Sequence, residues 1–317
     1  MNRIVTCTAN PAIDVSTVVD RIEPFRKLRC AEARRDPGGG GINVARVVRR
    51  FEGQPTAIYP AGGPTGALLR SLMERETVDS ISIPIVGETR EDFTVIEKES
   101  GREFRFVLPG PALSAEECHA LIEALARIAP RPAFVVASGS LPPGVPAQFY
   151  ANLVRTAKAM HAQLVLDTSG PALEASLDEG VFLVKPNLRE FRELMQAPME
   201  NETQMVQAAR RLTAAGRAQV VALTLGEQGA LLVTRDQAWR GSAPQMAPVS
   251  TVGAGDSFLG AMVFSLAMGR SLADCLRYGI AAGGAALLSP GTELCRPRDV
   301  ERLLPEIVIE DLAEAAP

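Results

Sequence analysis

The sequence predicts an α/β protein built on a mainly parallel sheet, and three observations lead there. Short β-branched runs recur at 4–8, 56–59, 133–137, 164–167, 182–184, 220–224 and 230–233. Between most of them lie longer stretches of helical period, and such alternation is the pattern of a layered α/β domain with parallel strands. The 317 residues are 46% hydrophobic and 22% charged, so the chain can bury a large core. A disordered or fibrous protein is excluded. No internal repeat, low-complexity tract or long Pro/Gly/Ser linker divides the chain, so one domain over 1–317 is expected.

Two helix starts are explicit. Ser114-Ala-Glu-Glu117 reads as a capping box opening a helix to about 128, and Ser271-Leu-Ala-Asp274 opens another toward 286. Segments 15–36 and 90–108 break the alternation, because both turn strand-like with charged residues interleaved. The second predicts a hairpin: a strand over 93–97, a Lys98-Glu-Ser-Gly101 turn, then a strand over 103–108. Four strands outside the core would form a small sheet with one apolar face that nothing of its own covers. Such a sheet is expected to close over a ligand, a partner subunit, or both.

Charge and cysteine usage narrow the function classes. Lys plus Arg total 33 against 37 for Asp plus Glu, a net charge of -4 without a long block of one sign. That balance argues against nucleic acid or an acidic membrane as the main partner. Five cysteines, Cys7, Cys30, Cys118, Cys275 and Cys295, include no C-x-x-C pair and fit neither a disulfide framework nor a zinc knuckle. The N-terminal segment lacks a signal-peptide apolar region, and no stretch approaches the roughly 18 apolar residues of a membrane helix. A cytoplasmic setting is expected.

No G-x-x-x-x-G-K-[ST], H-E-x-x-H or G-x-S-x-G occurs. His119 and His161 are the only histidines, one in a charged helical stretch and one at a helix end, so base chemistry falls to a carboxylate or lysine. The strongest local signal is Ser250-Thr-Val-Gly-Ala-Gly-Asp-Ser-Phe258, followed by an apolar, small-residue helix over 259–268. Gly253, Ala254 and Gly255 can converge their N–H groups where that helix begins, an anion hole aided by the helix terminus. Asp256 beside it could serve as a helix cap or as a base. A carboxylate next to an oxyanion-binding loop suits phosphoryl transfer to a hydroxyl.

Pro37-Gly-Gly-Gly-Gly-Ile-Asn43 runs into a helix over 42–51, where the backbone can approach a ligand with many hydroxyls closely. Pro37 disfavours a central strand before it, against a dinucleotide fingerprint. Lys185-Pro-Asn-Leu-Arg-Glu190 follows a strand and starts a helix. It is either an ordinary turn or a place where Asn187 and Glu190 hold a water shell around Mg²⁺. Lys27, Arg29, Arg90 and Arg105, in the irregular segments, could bind a phosphate that is not transferred.

Taken together, these stretches resemble the ribokinase-like (PfkB) carbohydrate kinases, nearly end to end. Also similar are Lys27-Leu-Arg-Cys30, Phe104-Arg-Phe-Val107, Ser138-Gly-Ser-Leu-Pro-Pro-Gly144 and Leu225-Gly-Glu-Gln-Gly-Ala230. The resemblance implies a ribokinase-like three-layer α/β sandwich with a small β-sheet lid, commonly the dimer interface. It implies Asp256 as the base and Gly253 to Gly255 as the anion hole. Asp14, Gly39, Gly40 and Asn43 would hold sugar hydroxyls. Lys27, Arg29, Arg90, Arg105 and Ser140 would surround the sugar phosphate, Arg105 reaching in from the neighbouring subunit. Lys185, Asn187, Thr224, Gly226 and Gly229 match the ATP side, and Asn187 with Glu190 the N-x-x-E motif linked to Mg²⁺. A K⁺ site would fall at Ser250, Val252, Ala286, Ser289 and Gly291, where Ser289 and Glu293 replace the asparagine and arginine expected.

Within the family the 6-phosphofructokinase branch is the most similar, implying transfer from MgATP to the 1-hydroxyl of fructose 6-phosphate in glycolysis. Gly39-Gly40-Gly41-Ile-Asn43 lacks the lysine that relatives acting on fructose 1-phosphate carry, whereas Asn10-Pro-Ala-Ile-Asp14 resembles the 1-phosphofructokinase and tagatose-6-phosphate kinase branches. A non-catalytic sugar-phosphate sensor is the alternative of another class. A homodimer through the lid, and a tetramer with MgATP, would follow from the 6-phosphofructokinase resemblance.

Overall fold

The computed structural model describes residues 2–246, 249–289 and 291–312. In chain order the strands are β1 (Ile4–Cys7), β2 (Ala12–Val19), β3 (Arg34–Gly38), β4 (Pro55–Ala61), β5 (Asp79–Pro84), β6 (Arg90–Glu97) and β7 (Glu103–Phe106). They continue as β8 (Phe134–Ser138), β9 (Gln163–Asp167), β10 (Val181–Val184), β11 (Ala218–Thr224), β12 (Ala230–Val233), β13 (Ala238–Gly241) and β14 (Ile309–Asp311). The main sheet runs β14-β13-β12-β11-β10-β9-β8-β1-β4-β5, parallel from β5 to β11 and antiparallel beyond.

Alternation along each central strand divides the core between the two faces of the sheet. Val5, Val135, Leu164, Val221 and Leu231 pack on one side, with helices such as Gln148–Ala159 and Glu202–Ala214. Ile4, Val136, Val165, Val220 and Leu232 pack on the other, under helices Gly40–Arg50, Ala254–Ala267 and Leu272–Leu287. This is a three-layer sandwich. The strands that lacked a sequence signal, β5, β13 and β14, lie at or near the sheet's edges, where half-exposed polar residues interrupt the apolar run. Both expected helix starts hold: Ser114 and Glu117 form the reciprocal capping box, and Ser271 accepts from the Asp274 N–H.

Four strands make the small sheet, in the order β3-β2-β6-β7, with β6 and β7 the expected hairpin. Pro37 sits in the edge strand β3, the place where a missing N–H costs least. A strand does precede the glycine run, but it belongs to this lid rather than to the main sheet. Ile13 and Val15 anchor the lid root against Ile42, Tyr59 and Leu69. Its outer surface exposes Phe93, which pairs in register with Phe106, and Leu108 is exposed beyond them, while the exposed Val107 borders the cleft.

Two helices start earlier than their apolar runs suggest. The helix expected from 42 begins at Gly40, and that expected from 259 begins at Ala254 with Gly253 as N-cap. Small residues carry no hydrophobic signal, so the periodicity marks only the buried part of each helix.

Candidate active site

Lid and main sheet enclose a cleft of about 420 Å³, the size of a small-molecule site. Its floor is made by the starts of two helices and the carboxyl ends of β8 and β9, where ligands bind in open α/β sheets. The helix Ala254–Ala267 is unusual at its start, because Gly253 takes the left-handed conformation (φ 74°) and supplies no side-chain cap. Its first N–H groups are therefore available to an anion, and the helix dipole favours one there.

Asp256 is thus not a cap. Its Oδ2 accepts a hydrogen bond from Asn43 Nδ2 at 2.8 Å. Crowded by protein yet open to the cleft, its pKa is pushed up to about 6 by burial and Asp167, while the Asn43 hydrogen bond, Lys185 and Arg105 pull it down. A carboxylate so poised accepts a proton near neutral pH better than an ordinary one.

Lys185 follows β10, buried, with Nζ 3.1 Å from Asp167 Oδ1. Burial favours its neutral form, but contact with Asp167, together with the charges of Asp256 and Glu190, raises the pKa on balance, so it stays charged. Its ammonium lies 3.6 Å from where a Cβ on Gly255 would stand, so it points at the anion loop. Gly40, by contrast, has no room for a side chain: a Cβ there would collide with Ser138 Oγ.

On the lid side, Asp14 of β2 faces Asp92 of β6 across the register. Burial, then Asp92, pushes the Asp14 pKa up to about 7 against the pull of Arg46 and Arg105. Arg90 donates to the Leu108 carbonyl (2.7 Å) and the Asn10 carbonyl (3.2 Å) and lies 3.2 Å from Asp92 Oδ2.

The structure brings Asp14, Gly39, Gly40, Asn43, Arg90, Arg105, Ser140, Lys185, Glu190, Gly253, Gly255 and Asp256 to this one cleft. Arg105 borders the cleft of its own chain. Lys27 and Arg29 do not line it; they stand exposed on the loop between β2 and β3. Asn187 and Glu190 form a capping box, Oδ1 of one and Oε2 of the other each accepting the partner's backbone N–H at 2.9 Å. Only Glu190 of the two reaches the cleft wall. Thr224 and Gly226 sit at the end of β11 and in the turn after it, and Gly229 lies so close to the Gly241 carbonyl that a Cβ would clash. Among the described residues no cluster of three or more His, Cys, Asp or Glu side chains could hold a metal by itself. Ser250 Oγ lies 2.6 Å from Glu103 Oε2 of the lid and 2.9 Å from the Gly291 carbonyl, and accepts from the Val252 N–H. Ser289 donates its N–H to the Ala286 carbonyl, while its buried Oγ has no partner. Glu293 is held by Arg34 and Arg296.

Sequence reasoning missed Asp92, Ser138, Asp167 and Thr168, all in the cleft wall. Asp167 ends a predicted strand and Ser138 directly follows another, so the carboxyl-end rule for parallel sheets would have flagged both.

A family model described as pfkB family carbohydrate kinase matches residues 4–299. The chain belongs to this family. It is 47% identical over 300 residues to the ATP-dependent 6-phosphofructokinase isozyme 2 of Mycobacterium tuberculosis, covering 95% of this chain and 88% of that protein. It is 40% identical over 304 residues to the isozyme 2 of Escherichia coli, covering 96% and 98%. The crystal structure of Escherichia coli phosphofructokinase-2 with fructose-6-phosphate superimposes with a TM-score of 0.91 at 38% identity, covering 96% and 99%. That protein has also been crystallised with potassium and in a tetrameric inhibited form. An Arabidopsis thaliana ribokinase, 19% identical over 96% of this chain and 98% of that one, shares the fold with a TM-score of 0.75.

Proposed function

We propose that this pfkB-family kinase transfers the γ-phosphoryl group of ATP to the 1-hydroxyl of fructose 6-phosphate, giving fructose 1,6-bisphosphate and ADP. The observation that carries this reading is Asp256, with its raised pKa, in the first turn of an uncapped helix N-terminus. Asp256 takes the hydroxyl proton as the sugar oxygen bonds to the γ-phosphorus and the bond to the β-phosphate oxygen breaks. The amides of Gly253, Ala254 and Gly255, with Lys185, meet the charge on the transferring group. Asp14, Gly39, Gly40 and Asn43 take the sugar hydroxyls, while Arg90, Arg105 and Ser140 take the 6-phosphate. Thr224, Gly226 and Gly229 lie on the nucleotide side.

Glu190, with Asn187 behind it, suits Mg²⁺ held through water, since that ion keeps several waters and leans on substrate phosphates. When bound, it neutralises charge on the β- and γ-phosphates. Ser289 Oγ, buried without a partner, and the Ala286 and Gly291 carbonyls suit K⁺, with Ser250 and Val252 completing the loop around them. The exposed Phe93, Phe106 and Leu108 support a homodimer through the lid, which would bring Lys27 and Arg29 near a partner's cleft, and a tetramer with MgATP is the further state. Five unpaired cysteines agree with a cytoplasmic setting, and no helix among the described residues is long and apolar enough to cross a membrane.

Initial rates of ADP formation with fructose 6-phosphate, fructose 1-phosphate, tagatose 6-phosphate, fructose and ribose test the reading. The expected outcome is a clear kcat/KM preference for fructose 6-phosphate. Preference for fructose 1-phosphate or tagatose 6-phosphate would move the acceptor assignment, as the Asn10 to Asp14 segment allows. No turnover with any of them would leave a sugar-phosphate sensor.

A further inference from the structure

Beneath the cleft floor lies a buried cation that the proposed reaction does not itself use. Arg46, in the helix Gly40–Arg50, has no exposed surface. A guanidinium so placed requires opposite charge and hydrogen bonds on every side. Nη2 lies 2.7 Å from Glu76 Oε1 and 3.5 Å from Asp36 Oδ1, which neutralises the charge. Nη1 donates to the Pro37 carbonyl at 2.9 Å and to Asn43 Oδ1 at 3.2 Å, and Nε has no partner.

The Asn43 contact is not needed for charge balance, yet it decides something. An asparagine amide has one accepting and one donating end, and a half-turn about its last bond exchanges them. With Oδ1 held on a guanidinium that can only donate, Nδ2 must face Asp256, to which it donates at 2.8 Å. The reverse orientation sets a carbonyl against the carboxylate and an NH₂ group against the guanidinium, two repulsive contacts in place of two attractive ones. Lys185, Asp167, Arg105 and Asp14 also act electrostatically on Asp256, but none of them orients the Asn43 amide.

We propose that Arg46 is a positioning residue for phosphoryl transfer: it fixes the Asn43 amide as a donor to Asp256 and thereby aims the carboxylate at the acceptor hydroxyl. This rests on the reading of Asp256 as the base. Arg46 also joins the lid strand β3, through Asp36, to the end of the helix Gly63–Arg75, through Glu76, so the aim of the base is tied to the seating of the lid.

The test is the pH dependence of kcat/KM, with thermal unfolding as a control, for wild type, Arg46→Lys, Asn43→Ala and the combination of the two. A lysine keeps the charge but cannot span Pro37, Asn43 and Glu76 together. Arg46→Lys should lower kcat by about tenfold and move the acid limb upward by about half a pH unit or more, because Asp256 loses a bond that favours its ionised form. In the Asn43→Ala background the same change should add less than about twofold, since both act through one contact. Should Arg46→Lys not fold, Arg46→Met with Glu76→Gln removes the buried cation together with its nearest carboxylate, Asp36 keeping Arg34 as its partner, and it should still move the limb. An acid limb that stays at the wild-type position in a folded variant, or effects that multiply in the combination, would overturn the proposal. If Asp256→Asn keeps wild-type turnover, it is the base reading that fails, and the Arg46 variants then have no limb of Asp256 to move.

Discussion

The floor of the cleft and the lid above it are built on opposite terms. Floor groups are held by buried or half-buried partners within one chain: Asp256 by Asn43, Asn43 by Arg46, Lys185 by Asp167. The lid instead exposes Phe93 and Phe106, carries Lys27 and Arg29 on an open loop, and meets the core through contacts such as Glu103 with Ser250. Groups that must hold reacting atoms to a fraction of an ångström are braced by packing, whereas groups that admit and release substrate stay loosely covered. The difference predicts that damage to the floor is read in turnover and damage to the lid in affinity.

Asp256→Asn sharpens that contrast most. It should lower kcat by about 100- to 10,000-fold, the usual share of a general base, and leave the KM for sugar phosphate within about threefold. In the wild type kcat/KM should rise with pH through about 6, as Asp256 loses its proton. A variant that keeps near-wild-type turnover would place the base elsewhere.

Phe106→Asp is the corresponding blow to the lid. It sets a charge beside Phe93 on the exposed face, so sedimentation velocity should show a shift toward monomer. KM for the sugar phosphate should rise by about tenfold or more, with a smaller change in kcat. An unchanged sedimentation coefficient would remove the lid from the interface, and a pure kcat effect would break the comparison.

The smallest effect is on stability. Asp14 titrates at about 7 and Asp256 at about 6, both raised by burial, so the folded chain binds protons that the unfolded chain has already released. These groups stabilise the fold below about pH 4, and their contribution is lost as pH rises through about 6 to 7. Asp14→Asn should therefore raise Tm by about 2–4 °C at pH 7.5, with no gain below pH 4. A lower Tm at pH 7.5 would mean that Arg46 and Arg105 hold the ionised carboxylate more firmly than burial opposes it.

Much of the floor is legible in the sequence. Glycines at 253 and 255 around a helix start, with Asp256 next to them, are a local arrangement, and their spacing survives folding. The identity of the wall is less legible. Asp167 and Ser138 lie at the ends of separate strands, and Asp92 reaches the cleft only because β6 pairs with β2. Asn187 and Glu190 are legible as a pair, but nothing in their spacing tells a capping box from a cleft-facing group, and both uses meet at Glu190.

By itself, the sequence determined the α/β layering, the lid segments and the anion loop with its carboxylate. Periodicity and turn chemistry are properties of neighbours along the chain, and they act over short separations. Tertiary structure alone decided which carboxylates share the cleft, why Asp14 and Asp256 hold their protons to near-neutral pH, and which way the Asn43 amide faces. Those outcomes depend on desolvation and on distances between residues as far apart as Asn43 and Asp256, and both come into being only when the sheet, the two helix starts and the lid have closed on one another.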